Sequence, residues 1–576
     1  MLKDDLAKII QQTVAKAFPE YGKEVVEIEY PSDSSHGDYS CNSALRLAKK
    51  VGKNPREVAQ TIVDTLKKPD FVEKVEIAGP GFINFYVAKE YLVKNLKNIN
   101  DKYGQNDTGQ GKKIVIEYSS PNTNKPLHLG HARNNFLGMA VANLLEANGY
   151  EVETTQNVND RGIHICKSML AYEKWGNNAT PESMDKKGDH FVGDYYVKYS
   201  QEAKKDELLE QETRVILKKW EEKDPEARAL WKKMNGWVYD GFNETYDLIG
   251  SHFTFTTYES QFSEGGRSLV EEAHQKGIVE EIEGGALAID LSDCNLGDSE
   301  TGKKVLVRSD GTTIYVTQDI QLAVDRMKET KADGIIYVVG NEQDYHFKVL
   351  FQILKKFGHK WAEKLYHLSY AMVNLPSGKM KSREGTTVDL DNLIAELKSL
   401  VDKEVTDREM PYKDQEREDL IHAVALGALK YFILKIDPKS DMTYDPSASI
   451  DFQGNTGPYL QYTYARIQSI LRKAPEGLDA SIAATTFTEP EEIAILRKLQ
   501  LFPEVIKSAT KDYRIHGITN YLYDLAQETN SFYVKHKVLD DSSEEKSVAR
   551  LQLIAAVAQV LKNGLGILGI EAVGRM

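Results

Sequence analysis

The run Lys113-Ile114-Val115-Ile116-Glu117-Tyr118 is apolar and β-branched, and a polar loop carries it into a helical pattern over residues 129–148 that stops at Gly149. A strand that feeds a helix through a loop is the building unit of a parallel sheet, and ligands of such sheets sit beyond the C-terminal strand ends. The loop here is Ser119-Ser120-Pro121-Asn122-Thr123-Asn124-Lys125-Pro126-Leu127-His128-Leu129-Gly130-His131. It places two imidazoles one turn apart at a helix N-terminus, where unpaired N–H groups and the helix dipole attract anions. Gly130 lets a base or phosphate approach the backbone, Lys125 adds a mobile cation, and imidazoles donate to phosphoryl oxygens as charge builds during displacement. Taken alone, His128 and His131 also fit a simpler role, capping and packing the helix start.

A second basic element supplies context. Leu375-Pro376-Ser377-Gly378-Lys379-Met380-Lys381-Ser382-Arg383-Glu384-Gly385-Thr386-Thr387 follows an apolar run over residues 366–373, so a cationic loop leaves the end of an expected strand. Lys379, Lys381 and Arg383 offer three positive charges toward a triphosphate and a departing pyrophosphate. A Lys/Arg loop by itself is usually a solvated surface. Together with the upstream histidines it reads as catalytic.

At 576 residues the chain has room for three or four domains. Residues 1–108 read as an α/β unit, with amphipathic helices at 2–18, 42–51 and 55–66 and a turn and strand at 79–87. His36-Gly37-Asp38 reads as a turn with a satisfied histidine rather than a catalytic pair. The polar linker 100–111 marks a boundary. Residues 109–401 alternate strands (113–118, 151–156, 312–317, 334–340, 366–373) with helices, which predicts a Rossmann-type doubly wound parallel sheet. A charged helical stretch at about 167–301 reads as an insertion in it. From residue 402 the pattern is helical, at 420–436, at 459–473 and in a last helix with Leu551, Ile554, Ala558 and Leu561 on one face. The expected class is thus a multidomain α/β protein with an N-terminal α/β appendage and a C-terminal all-α bundle.

Cys41, Cys166 and Cys294 form no C-x-x-C pair, so no disulfide framework and no structural metal is expected, and the compartment reads as reducing cytoplasm. No apolar run approaches a membrane span and no targeting segment follows Met1. With 73 Lys+Arg against 87 Asp+Glu the net charge is −14. That sign argues mildly against a nucleic-acid ligand, although local basic patches decide phosphate binding.

The two basic elements resemble the two signatures of class I aminoacyl-tRNA synthetases. Glu117-Tyr118-Ser119-Ser120-Pro121-Asn122, Tyr315-Val316-Thr317-Gln318-Asp319, the run Val338-Val339-Gly340-Asn341-Glu342-Gln343-Asp344-Tyr345-His346-Phe347, the run from Gly454 to Arg466 and the ending Gly564-Leu565-Gly566-Ile567-Leu568-Gly569-Ile570 resemble the arginyl-tRNA synthetase family in particular. The resemblance covers nearly the whole chain. It implies activation of L-arginine by ATP to arginyl-adenylate and pyrophosphate, then transfer to the 3′-terminal adenosine of a tRNA, first at the 2′-hydroxyl, with bound tRNA needed for efficient activation. ATP is then a substrate that brings Mg2+ on its phosphates, and the partners are arginine and its tRNA, with no membrane and a monomeric protein.

The resemblance also implies roles for residues. His128, Gly130 and His131, with Met380 and Ser382, hold ATP; Lys125, Lys379, Lys381 and Arg383 answer the charge of the transition state. A guanidinium presents five donors in a planar fork and calls for carboxylates. Glu117 and Asp319 suit that need, although Glu117 also reads as a surface carboxylate and Asp319 as a helix N-cap. By resemblance Glu117, Tyr315 and Asp319 hold the arginine side chain, and Ser120, Asn122 and Gln343 its α-amino and carboxylate groups. The appendage would touch the tRNA elbow, while Tyr459, Tyr462 and Arg466 would meet the anticodon, since exposed bases are read by aromatic and Arg planes. One departure is plain: the usual second signature is Lys-Met-Ser-Lys-Ser, and this chain has Lys379-Met380-Lys381-Ser382-Arg383. Arginyl enzymes often lack the second signature lysine, and a lysine just before the first signature compensates; Lys125 stands at that position. Two rival readings are a nucleotidyltransferase of the same superfamily acting on a small molecule, and a non-catalytic tRNA-binding paralogue.

Overall fold

The computed structural model describes the chain except residues 32, 263–265, 376–377, 380–387, 408–411, 475–482 and 540–542. At the N-terminus, α1 (Leu2–Ala17), β1 (Ile28–Glu29), β2 (Tyr39–Cys41), α2 (Ser43–Val51), α3 (Pro55–Thr65), β3 (Val72–Ala78) and β4 (Phe82–Val87) form an antiparallel sheet of order β1-β2-β4-β3 with helices against it. Helix α3 starts where it does because the Asn54 side chain accepts the Arg56 N–H and Pro55 takes the first position, whose N–H needs no partner. Asp38 accepts the Val87 N–H at 2.7 Å and pairs with Arg497 at 3.0 Å, so it serves a turn and a domain contact, not a catalytic pair with His36. Helix α4 (Lys89–Asn95) leads into the linker.

The central sheet begins with β5 (Lys113–Glu117), α5 (Leu129–Ala147) and β6 (Glu151–Val158). Four helices follow, α6 (Ile163–Trp175), α7 (Gly188–Glu202), α8 (Leu208–Glu221) and α9 (Pro225–Ile249), before β7 (Phe255–Tyr258). Next come α10 (Arg267–Gln275) and the antiparallel strands β8 (Val279–Ile282), β9 (Ala286–Asp290) and β10 (Lys303–Val307), then α11 (Tyr315–Thr330), β11 (Gly334–Gly340), α12 (Asp344–Lys356) and β12 (Leu365–Tyr370). The five parallel strands lie in the order β12-β11-β5-β6-β7. Alternate residues of the middle strands enter different cores: Ile116 and Ile336 pack with α5 and the C-terminal helices, Val115 and Ile335 with α10, α11 and α12. A sheet buried on both faces explains why these strands read as unbroken apolar runs. The chain leaves β5 for β6 on one side and later lays β11 on the other, which makes the C-terminal end of β5 the switch point of the sheet.

Two expectations need correction here. Residues 312–317 are not a strand: after Gly311 (φ 81°) only Val307 and Thr313 bridge, and α11 begins at Tyr315. Its Val316, Ile320, Ala323 and Met327 fall on one helical face in the second core, and that burial overrides the β-branched propensity of the segment. The stretch 167–301 is also not wholly set apart, because β7 returns from it to pair in parallel with β6.

Beyond β12 lie β13 (Val373–Leu375), β14 (Gly378–Lys379), α13 (Leu390–Asp407), α14 (Asp414–Leu434), β15 (Met442–Thr443), α15 (Pro446–Ser449), α16 (Gly457–Leu471), α17 (Pro490–Ala509), α18 (Ile515–Lys535) and α19 (Glu544–Ile567). Leu551, Ile554, Ala558 and Leu561 of α19 are all buried. Among the described residues no helix is long and apolar enough to cross a membrane.

Candidate active site

Past the end of β5 the backbone turns through Ser119 (φ 78°) and Ser120 (φ 46°), left-handed conformations that cost about 1–3 kcal/mol each unless the surroundings enforce them. The enforcement is visible. The Ser119 N–H donates to Asn134 Oδ1, its hydroxyl meets Tyr246 OH at 2.7 Å and accepts Asn135 Nδ2 at 3.2 Å, and Ser120 Oγ accepts the Asn157 N–H at 3.2 Å. Asn134 Nδ2 donates in turn to Val338 O (2.7 Å) and Tyr370 OH (3.0 Å), so the loop is fixed to β11, β12, β6 and α9 together.

At the start of α5, His128 Nδ1 accepts the Gly130 N–H at 3.1 Å and His131 Nδ1 accepts the His128 N–H at 3.0 Å. The rings lie 3.9 Å apart, centroid to centroid. Burial, with Lys125 adding to it, pushes His128 down to about 3, and burial with His128 and Lys125 beside it pushes His131 well below its usual value. Both imidazoles are therefore neutral near pH 7. With each Nδ1 acting as an acceptor, the ring proton resides on Nε2. The pair thus caps the helix, as the simpler reading had it, and also offers two Nε2–H donors. A Cβ at Gly130 would stand 3.0 Å from His128 Cε1, so any other residue would crowd the folded-back ring. Half-buried Lys125 has its ammonium pKa lowered by desolvation.

The segment Val388–Leu390, which follows the second basic element in sequence, is bonded to the signature loop. Val388 O accepts the Leu129 N–H at 3.1 Å, and the Leu390 N–H donates to Leu127 O at 3.0 Å, with His128 and Asp389 as bridge partners. Lys379 lies in β14, paired with Asn374 of β13. Met380, Lys381, Ser382 and Arg383 lie outside the described residues. Residue 379 on one side and Val388–Leu390 on the other bracket them.

Of the residues assigned to the amino acid, Glu117 is buried and ion-paired with Arg326 of α11, whose Nη2 also reaches Thr257 Oγ1 at 3.4 Å. It is not a surface carboxylate. Tyr315, 77 % exposed, and Asp319 stand one turn apart on α11; Asp319 is past the helix start, so it is no N-cap, and it meets His346 Nε2 at 2.6 Å. Glu117 and Asp319 act together on the charge of Arg326, which places both carboxylates in one electrostatic neighbourhood. Gln343 lies between the end of β11 and α12, and Asn122 is exposed on the loop. On α16, Tyr459 OH accepts Asn530 Nδ2 at 2.8 Å, Arg466 lies over the Tyr533 ring at 4.8 Å and Tyr462 is half-buried. These three share a helix face, while Tyr464 points into the core.

Sequence reasoning passed over Arg133. It is fully buried in α5 and donates to the carbonyls of Ala371, Met372, Asp437, Pro438 and Ser440 at 2.7–3.3 Å, tying the signature helix to the segments that follow β12 and α14. Burial lowers its pKa to about 10, so it remains charged. The signal was Arg133 as the sole lysine or arginine of this helix.

Three family models match in succession: an arginyl tRNA synthetase N-terminal domain at 4–87, a class I (R) tRNA synthetase catalytic domain at 92–445 and a DALR anticodon binding domain at 460–576. The arginine–tRNA ligase of Flavobacterium psychrophilum is 46 % identical over 519 residues, 86 % of this chain and 85 % of that one. That of Bacteroides thetaiotaomicron is 44 % identical over 586 residues, 96 % and 97 % of the two chains. Among solved structures, Thermus thermophilus arginyl-tRNA synthetase superposes with a TM-score of 0.87 over all of both chains at 26 % identity. A neutral imidazole pair at a helix start and carboxylates at the sheet's switch point thus occur in a chain that belongs to the arginine–tRNA ligase family of class I aminoacyl-tRNA synthetases.

Proposed function

We propose that the protein joins L-arginine to its tRNA in two steps, using ATP. The observation that carries this reading is the union, at one sheet end, of the His128/His131 phosphate donors with the carboxylates Glu117 and Asp319. An arginine carboxylate oxygen attacks the α-phosphorus in line, the bond to the bridging oxygen breaks, and pyrophosphate leaves with the electron pair. A ribose hydroxyl of the terminal adenosine then attacks the carbonyl carbon, AMP leaves, and the hydroxyl proton passes to the departing phosphate. Such transfers rest on positioning and charge stabilisation and need no covalent enzyme intermediate. The Nε2–H groups of His128 and His131 donate to phosphate oxygens, Gly130 leaves the backbone open to the nucleotide, and Lys125 with Lys379, Lys381 and Arg383 supplies positive charge. Asp319 and Tyr315 take the guanidinium, with Glu117 behind them paired to Arg326; Ser120, Asn122 and Gln343 orient the other end of arginine.

Mg2+ arrives as part of the ATP salt, held by phosphates and water. Residues 1–108 and 402–576 serve as tRNA-binding units around the catalytic segment 109–401, with Tyr459, Tyr462 and Arg466 at the anticodon and the protein acting as a monomer. The test is charging of unfractionated tRNA with labelled arginine: acid-precipitable, base-labile label is expected on arginine-accepting tRNA. Binding of tRNA without charging would instead favour a non-catalytic tRNA-binding protein.

A further inference from the structure

Helix α7 touches both the signature loop and the start of α13. Its Gly193 lies against the signature loop so closely that a Cβ there would stand 3.0 Å from Pro126 Cδ. At its N-terminal end, Lys187 Nζ donates to Asp391 Oδ2 at 2.6 Å and His190 Nε2 meets the same oxygen at 3.0 Å. Thr245 of α9 donates to Asp391 Oδ1 at 3.0 Å, so both oxygens of this carboxylate are held. Asp391 is in the first turn of α13, directly after Val388–Leu390, the segment whose backbone bonds fix Leu127 and Leu129 on either side of His128. Fully buried Asp189 lies 3.4 Å from the same ammonium, and Asp389 Oδ2 lies 3.3 Å from His190. Lys187 already fills the place that a divalent cation would take among these carboxylates.

We infer that Lys187, His190 and Thr245 are positioning residues which, by clamping Asp391, hold Val388–Leu390 against Leu127–Leu129 and so set the His128/His131 pair for adenylate formation. The inference rests on the arginine-activating function proposed above. None of the four side chains needs to touch substrate; the coupling runs through two main-chain hydrogen bonds and one ion-pair cluster. Three carboxylates (Asp189 in α7, Asp389 and Asp391 at α13) face one ammonium and one imidazole, and α9 adds the Thr245 hydroxyl and, beside Asp189, Tyr246. A protonated His190 therefore reduces the charge deficit, and its hydrogen bond to Asp391 raises its pKa above the usual value. Burial opposes ionisation of Asp391, but hydrogen bonds from His190, Lys187 and Thr245 take it down to about 2. A raised imidazole pKa means that the clamp is intact below pH 6.5 and loosens as pH rises through the folded-state value.

The experiment is arginine-dependent ATP–pyrophosphate exchange in the presence of tRNA, with Asp391→Asn, Lys187→Met and His190→Gln in the full chain, alongside tRNA affinity and Tm. Displacements of an ångström at a reacting centre cost about 100-fold. Asp391→Asn and Lys187→Met are expected to lower kcat by about that factor while KM for arginine and tRNA affinity stay within about twofold. Lys187→Arg, which keeps the charge, is expected to regain most of the rate lost in Lys187→Met. The alkaline fall in kcat is expected to be absent in His190→Gln. Wild-type rates in Asp391→Asn and Lys187→Met overturn the inference. So does a rate loss that only follows a matching fall in Tm and tRNA affinity. Absence of exchange in the wild-type protein is a different result and overturns the function on which the inference rests.

Discussion

Lys125→Ala is expected to lower the rate of arginyl-adenylate formation by about two to three orders of magnitude, the range for losing one transition-state donor or charge in a closed site. Tight-binding measurements with tRNA should be nearly unchanged. The reason is the neutrality of His128 and His131: both rings use Nδ1 as an acceptor and are held far below their usual pKa, so they bring directed N–H groups but no net charge. A triphosphate losing pyrophosphate needs positive charge, and Lys125 is close enough to the imidazoles to depress both. Near-normal single-turnover adenylation in Lys125→Ala would show instead that the charge comes from Lys379, Lys381 or Arg383.

The second large effect concerns choice of amino acid. Asp319→Asn is expected to raise KM for arginine about 100-fold, the scale for truncating one partner of a desolvated charge pair, with KM for ATP unchanged. Glu117 and Asp319 are not equivalent in this respect. Arg326, itself buried, already neutralises Glu117, so the charge left over for a substrate guanidinium is that of Asp319. His346 sits on Asp319 Oδ2 and fixes the carboxylate's orientation. Steady-state exchange kinetics at varied arginine and varied ATP separate the outcomes. Equal rises in both KM values would point to general disruption of α11.

The sequence was most readable where local chemistry and tertiary burial agreed. The strand ending at Glu117, the helix from Leu129 and its stop near Gly149 appear where periodicity and end signals put them, because an apolar helix on an apolar strand has one way to bury itself. Residues 312–317 misled because a run of Thr, Ile and Val favours a strand, while the packing face that makes it helical becomes apparent only from Val316 through Met327 against the second core. Strand β7 was hidden for a related reason: four residues, all half-buried, after a long charged helix carry little periodic signal. The partners of the site residues were the least legible part. Arg326 for Glu117, His346 for Asp319 and Lys187 for Asp391 lie 209, 27 and 204 residues away along the chain, and no spacing rule links them. Residue chemistry and the family resemblance singled out Glu117 and Asp319, not Asp391; only the fold shows that Glu117 is already paired.

The most direct test of a guanidinium-selective activating site is ATP–pyrophosphate exchange by the wild-type protein with arginine, run with and without tRNA and with citrulline or lysine in place of arginine. Citrulline keeps the shape of arginine but lacks its charge and two-pronged donor set, and lysine keeps the charge but not the plane. The expected result is exchange with arginine that depends on tRNA, and rates with citrulline and lysine lower by at least about 1,000-fold in kcat/KM, as for a site whose polar groups would be left unpaired. Comparable exchange with citrulline would contradict the carboxylate pocket formed around Asp319.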